Sequence, residues 1–211
     1  MATLAFGGFA GLLAAAFGWR TVLHRRRTGM SGWLAPPTPA AWVGDGLFTA
    51  GALAALAAPG LDLTGILRPA PFLDRRPIKV CGAVLLAAGA ALALGAQAQM
   101  GATWRAGIDL ADDQLVTQGP FRLMRNPFYT GMTVASVGVA IMVPNLAALT
   151  GIAALAAGSQ IDARLVEEPH LRATHGATYD AYATAVPRFL PRLRGKRCPG
   201  TCDCGGGSRA H

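Results

Sequence analysis

The sequence predicts an all-α protein: an integral membrane helical bundle of about five transmembrane helices, with a C-terminal helical hairpin and an amphipathic cap helix at the cytoplasmic face. Three observations predict it. Of the 211 residues, 52% are hydrophobic and 14% charged, and the mean hydropathy is +0.36, too apolar and too sparsely charged for an ordinary soluble domain. The apolar residues come in runs of bilayer-spanning length, punctuated by proline, glycine and arginine. The net charge of +8 sits in clusters between those runs and in the tail, which is a membrane-border distribution and not a nucleic-acid-binding face.

Residues 2–23 form an Ala, Gly, Leu and Phe run with one interior charge, Arg20, near its end. The basic cluster Arg25, Arg26 and Arg27 follows the run instead of preceding it, so a retained helix with its N-terminus outside is expected and not a cleaved signal peptide. After the connector containing Pro36, Pro37 and Pro39, a second run extends from about Ala40 to Ala58, where Pro59 and Gly60 are expected to end it. Residues 60–78, with Pro69, Pro71, Pro77, Arg75 and Arg76, read as an irregular or interfacial loop. A third helix is expected from about Lys79 to Met100, with Gln97 and Gln99 as border residues or as groups facing a polar cavity. The segment Gly101–Gln118, with Trp104, Arg105, Asp109, Asp112 and Asp113, is too polar to span.

Residues Gly119 to Gly131, GPFRLMRNPFYTG, are the stretch the rest of the chain is organised around. Asn126 suits a helix N-cap and Pro127 the first helical position, so a helix is expected to start there and run apolar to about Val143. Its free backbone N–H groups, flanked by Arg122 and Arg125, favour an anionic group such as a carboxylate. The bland alternative is that both arginines only mark a membrane border. A second apolar run, Asn145 to about Ile161, is separated from the first by Pro144-Asn145 without any charge, which predicts a tight helical hairpin. Tyr129, Thr133 and Ser136 fall on one face and either line a pocket or pack between helices. Beyond Ile161 the chain turns polar, and Pro169 is expected to open the cap helix, with Leu171, Tyr179, Tyr182 and Val186 on one side, ending before Pro187.

Under this five-segment scheme 15 of the 19 Lys and Arg fall on the side that holds the C-terminus, which places the C-terminus, the organising turn and the Glu167-Glu168 pair in the cytoplasm. The hairpin returns the chain to its starting face, so two polar segments meet there. A basic turn, a glutamate pair and several tyrosines around helix ends suit a zwitterion with an additional positive centre. S-adenosyl-L-methionine is such a ligand: its carboxylate suits arginine and a helix N-terminus, its amino group a glutamate, and its sulfonium carbonyls and aromatic faces.

The same residues carry a resemblance. WR at Trp104 and Arg105, then LVTQGPFRLMRNPFYTG, then VEEPHLRATHGATYDAYATAVPRFLP resembles the integral membrane methyltransferases that include isoprenylcysteine carboxyl methyltransferases and phospholipid methyltransferases. The likeness covers roughly the C-terminal half. It implies that Gly119, Arg125, Pro127, Tyr129, Gly131, Glu167 and Glu168 build an S-adenosylmethionine site, with Arg125 and Glu168 at the catalytic centre. Asn126 stands where the family more often has His, and is expected to shape the turn and take no proton.

The expected organisation is residues 1–78 as two N-terminal helices with connectors, 79–193 as the methyltransferase core and 194–211 as a Cys- and Gly-rich disordered tail holding Cys198, Cys202 and Cys204. No metal site is expected. The expected function is S-adenosylmethionine-dependent methyl transfer to a lipid-like or isoprenylated acceptor carrying a carboxyl, amine or hydroxyl group. Two rivals remain: an NADPH-dependent membrane reductase of the sterol type, and a non-enzymatic membrane scaffold or transport subunit.

Overall fold

The computed structural model describes residues 1–33, 35–67, 75–101 and 115–191. Trp104, Arg105, Asp109, Asp112, Asp113 and the cysteines of the tail lie outside the described residues, as does residues 194–211 as a whole. Among the described residues the architecture is all-α. Four helices are long and apolar enough to cross a membrane: α1 (Ala2–Thr28), α2 (Pro39–Leu63), α3 (Arg76–Met100) and α5 (Leu146–His175). Between the last two lies the shorter apolar helix α4 (Pro127–Met142), and α6 (Ala177–Ala185) follows α5.

Most elements stand where hydropathy puts them, with three corrections. Pro59 does not end α2, which runs on to Leu63. A proline inside a membrane helix is tolerated where it is packed within protein, and Pro59 is fully buried, with Asn145 Nδ2 donating to the neighbouring Ala58 carbonyl at 2.9 Å. Pro169 opens no new helix, because the chain passes from Ile161 through a π-helical segment, Asp162–Glu167, and continues helical to His175. The break comes at Gly176 (φ +51°), a conformation that Gly adopts without strain. Finally, α1 is longer than the apolar run. It carries a π-helical segment of its own, Ala14–Trp19, and extends through the arginine cluster until Gly29 turns left-handed.

The tight hairpin is present: Asn145 caps α5 by accepting the Ala148 N–H at 3.0 Å. Yet each arm packs closest against an earlier helix. Gly131 and Gly138 of α4 lie against Gly89 and Gly82 of α3, so near that a Cβ on Gly131 would stand 2.6 Å from the Ala93 nitrogen. Gly151 and Gly158 of α5 lie likewise against Gly51 and Gly44 of α2. Lipid supplies no hydrophobic drive to helix association, so closeness of backbones has to supply it, and glycines seven residues apart keep the contact on one face for two turns. The helix α1 covers the seam between the two pairs, burying Ala5, Phe9, Leu12 and Ala16 with Phe48, Leu86 and Met132.

Candidate functional site

The chain enters α4 through a 3-10 turn, Gly119–Arg122, in which Gly119 takes φ +58°. What holds this turn is the segment after α6. The Arg125 and Asn126 N–H groups donate to the carbonyls of Pro187 (2.8 Å) and Arg188 (3.0 Å), and Thr130 Oγ1 donates to the Phe189 carbonyl at 2.9 Å. Tyr182 adds a bond from its hydroxyl to the Phe121 carbonyl at 2.7 Å. Burial pushes the Tyr182 hydroxyl up to about 12, so it stays a donor.

The adjacent glutamates part company here. Glu168 is buried and turned toward the turn: Arg125 reaches its Oε1 at 3.0 Å, and Arg188 grips it with Nε to Oε1 and Nη2 to Oε2 at 2.7 Å. This bidentate contact with a carboxylate holds the Arg188 guanidinium above its usual range. Arg125 spends its Nη1 on the Ala183 carbonyl at 2.8 Å, while its Nε is buried with no partner among the described residues. Glu167, one residue earlier, accepts the Tyr129 hydroxyl at 2.6 Å.

A cavity of about 580 Å³ lies beside this arrangement, and Arg125, Asn126, Pro127, Tyr129 and Glu167 line it. Its volume falls in the range of small-molecule sites. Phe17, Phe48 and Phe128 supply an aromatic wall, with Phe48 edge-on to Tyr129 at 5.6 Å and Phe17 edge-on to Phe128 at 6.0 Å between ring centres. The two polar motifs, separated by the hairpin, thus share one cavity.

Residues 78–178 match the phospholipid methyltransferase family model. The likeness read from the motifs is therefore borne out. Over 80 residues, 38% of this chain and 37% of the relative, the chain is 36% identical to the nickel-cobalt-cadmium resistance protein NccN of Alcaligenes xylosoxydans xylosoxydans. Over 78 residues, 37% of this chain and 40% of the relative, it is 32% identical to protein-S-isoprenylcysteine O-methyltransferase B of Arabidopsis thaliana. The chain matches about two fifths of the length of these relatives.

Within the matched segment, not every expected site residue reaches the cavity. Arg122 is exposed on the 3-10 turn and away from the lining. Gly131 serves the contact with α3, and Gly119 the turn. Glu168 stands behind Arg125, outside the lining. Asn126 occupies the N-cap position without a side-chain cap: its Nδ2 donates instead to the Arg188 carbonyl at 3.3 Å, so the carboxamide ties the turn to the following segment. Of the polar stripe on α4 only Tyr129 lines the cavity, whereas Thr133 and Ser136 return their hydroxyls to backbone carbonyls at 2.9 Å.

Sequence reading passed over two carboxylates that the fold brings in, Asp45 from α2 and Asp162 from the π-helical segment of α5. A signal was available, because an acid inside an apolar spanning run is costly and marks a functional position by default. Asp162 sits in the notch left by Gly44, whose Cβ, if it had one, would overlap the carboxylate.

Proposed function

We propose that the chain is an S-adenosylmethionine-dependent membrane methyltransferase whose cofactor site is the cavity beside the Gly119–Gly131 turn, at the cytoplasmic face, and whose acceptor is a lipid-like or isoprenylated molecule entering from the bilayer. The single observation that carries this reading is that Arg125 and Glu167, from motifs on opposite sides of the hairpin, line one cavity of ligand size. The residues fit the cofactor. The uncommitted Nε of Arg125 and the first-turn N–H groups of α4 suit its carboxylate, Glu167 suits its amino group, and the rings of Phe17, Phe48, Phe128 and Tyr129 suit a sulfonium. When bound, it supplies an electrophilic methyl group.

The chain's own contribution is placement and exclusion of water. Arg125 is aligned by Glu168 and the Ala183 carbonyl, so Glu168 acts as a positioning residue. Tyr129 orients the Glu167 carboxylate, and the segment 187–189 closes over the turn.

Titration of the purified protein with S-adenosylhomocysteine and with NADPH tests the reading. We expect S-adenosylhomocysteine to bind and Arg125→Ala to weaken it at least tenfold, the cost of removing one partner of a buried charge-assisted contact. Binding of NADPH alone would favour a reductase, and binding of neither a scaffold or transport subunit. A reporter active only in the cytoplasm, fused after His211, tests the siting and is expected to be active.

A further inference from the structure

The lining of the cavity does not balance its own charge. Asp45, Asp162 and Glu167 line it, with Arg125 as the guanidinium among them. Outside the lining Glu168 is shared between Arg125 and Arg188, so those three groups leave one positive charge to set against the three carboxylates. The excess, with all groups ionised, is two negative charges. Asp162 interacts electrostatically with both Asp45 and Glu167, so the excess is gathered on one wall.

Asp162 is the group most in need of a partner. It is 2% exposed, sits in the notch left by Gly44, and neither carboxylate oxygen has a hydrogen-bond partner among the described residues. Independently of the acids, Gln97 of α3 adds a neutral acceptor to the same lining and is also 2% exposed. Its Nε2 donates to the Ala16 carbonyl at 3.0 Å, which fixes the amide and leaves Oε1 as the atom without a partner. Both residues present buried acceptors with nothing to accept from, and a buried charge without a partner is costly. Among the described residues no three His, Cys, Asp or Glu side chains are grouped to hold a metal ion, so the positive charge that answers this wall belongs to an organic ligand.

We infer that Asp162 and Asp45 make the cavity discriminate between the charged cofactor and its spent form, holding the first and releasing the second. The inference rests on the S-adenosylmethionine reading, in which Arg125 takes the carboxylate and Glu167 the amino group. Those two groups are the same before and after transfer. The sulfur is not. Methyl transfer forms a bond from the acceptor's lone pair to the methyl carbon and returns the carbon–sulfur pair to sulfur, so one positive charge passes from sulfur to the acceptor. S-adenosylmethionine therefore brings a net positive charge into the field of the wall, and S-adenosylhomocysteine brings none. A charge beside carboxylates in a water-poor cavity counts for far more than in bulk water. Product release limits the turnover of many enzymes, and here the reaction itself removes the attraction that retained the cofactor.

Calorimetric titration of the protein in phosphatidylcholine nanodiscs with S-adenosylmethionine, S-adenosylhomocysteine and sinefungin tests this. Sinefungin carries a protonated amine on carbon where the cofactor has its methylated sulfur, so it keeps the charge without a transferable methyl group. S-adenosylmethionine and sinefungin are each expected to bind at least tenfold more tightly than S-adenosylhomocysteine. Asp162→Asn is expected to weaken both at least fivefold and Asp45→Asn at least threefold, each leaving S-adenosylhomocysteine within twofold; the second variant carries the test if the first does not fold. Wild-type protein that binds S-adenosylhomocysteine as tightly as the two charged ligands overturns the inference and leaves the cofactor reading standing. Equal weakening of all three ligands in a folded variant does the same, because it would assign the acids to the amino group that all three share. Binding of all three unchanged in folded Asp162→Asn also overturns it. If none of the three binds the wild type, the cofactor reading fails and the inference falls with it.

Discussion

The α2–α5 pair and the α3–α4 pair are packed by the same device and differ in what they carry to the cavity. Each pair runs antiparallel with two glycine contacts, Gly44 with Gly158 and Gly51 with Gly151 in one, Gly82 with Gly138 and Gly89 with Gly131 in the other. The first pair delivers Asp45, Asp162 and Glu167, while the second delivers Gln97, Arg125, Asn126 and the start of α4. Close packing thus fixes where the walls stand without deciding their chemistry. The carboxylates of the first pair and the guanidinium of the second line one cavity because these residues stand at the same end of two equivalent scaffolds.

The largest expected effect comes where the two pairs are joined. Glu168→Ala leaves Arg125 and Arg188 without their shared carboxylate and should cost about 3–5 kcal/mol. Thermal or denaturant unfolding in detergent checks it, and an unchanged midpoint would mean that the pairs hold together without this junction. Next come the glycine contacts themselves. Gly131→Ala places a Cβ 2.6 Å from the Ala93 nitrogen and should destabilise by about 1–3 kcal/mol, whereas Gly151→Ala, at 2.9 Å from the Ala55 nitrogen, should fall at the mild end of that range. Equal losses in the same unfolding assay would show that the two pairs are packed equally tightly. The smallest effect has the opposite sign. A Cβ at Gly95 in α3 meets nothing within 4 Å, so Gly95→Ala should stabilise by about 0.5–1 kcal/mol; any loss would reveal a contact on the outer face of that pair.

Much of this was legible in the sequence, for reasons that also mark the limit. Spanning helices announce themselves by length and hydropathy, and Pro127, Asn145 and the glutamate pair could be placed from local chemistry. The partner of each helix could not. Glycines recur seven apart in α2, α3, α4 and α5, but spacing on one strand of a contact does not name the other. The division of labour between Glu167 and Glu168 was hidden as well, because it depends on the tilt of α5 against Arg188, which lies 20 residues away. Pro59 and Pro169 misled in the same way: each is a stop signal in water, and each is overridden where neighbouring groups or a widened turn accommodate it.

That widened turn, Asp162–Glu167, has a consequence for how the chain tolerates changes of length. A π-helical turn holds the equivalent of one extra residue, and each residue advances a helix by about 100°. Deleting one residue at this point would let the turn relax to ordinary α-helix while keeping the hydrogen-bond ladder intact. Everything downstream would then keep its phase against everything upstream, because the wide turn had absorbed the extra residue, and only side chains within the turn, Glu167 among them, would change place. Single-residue deletions scanned along α5 should therefore be judged by where they fall relative to Asp162, since one on the N-terminal side would also slip Gly151 out of step with Gly51, whereas one within the turn would leave the scaffold standing and change only which side chain reports to which wall.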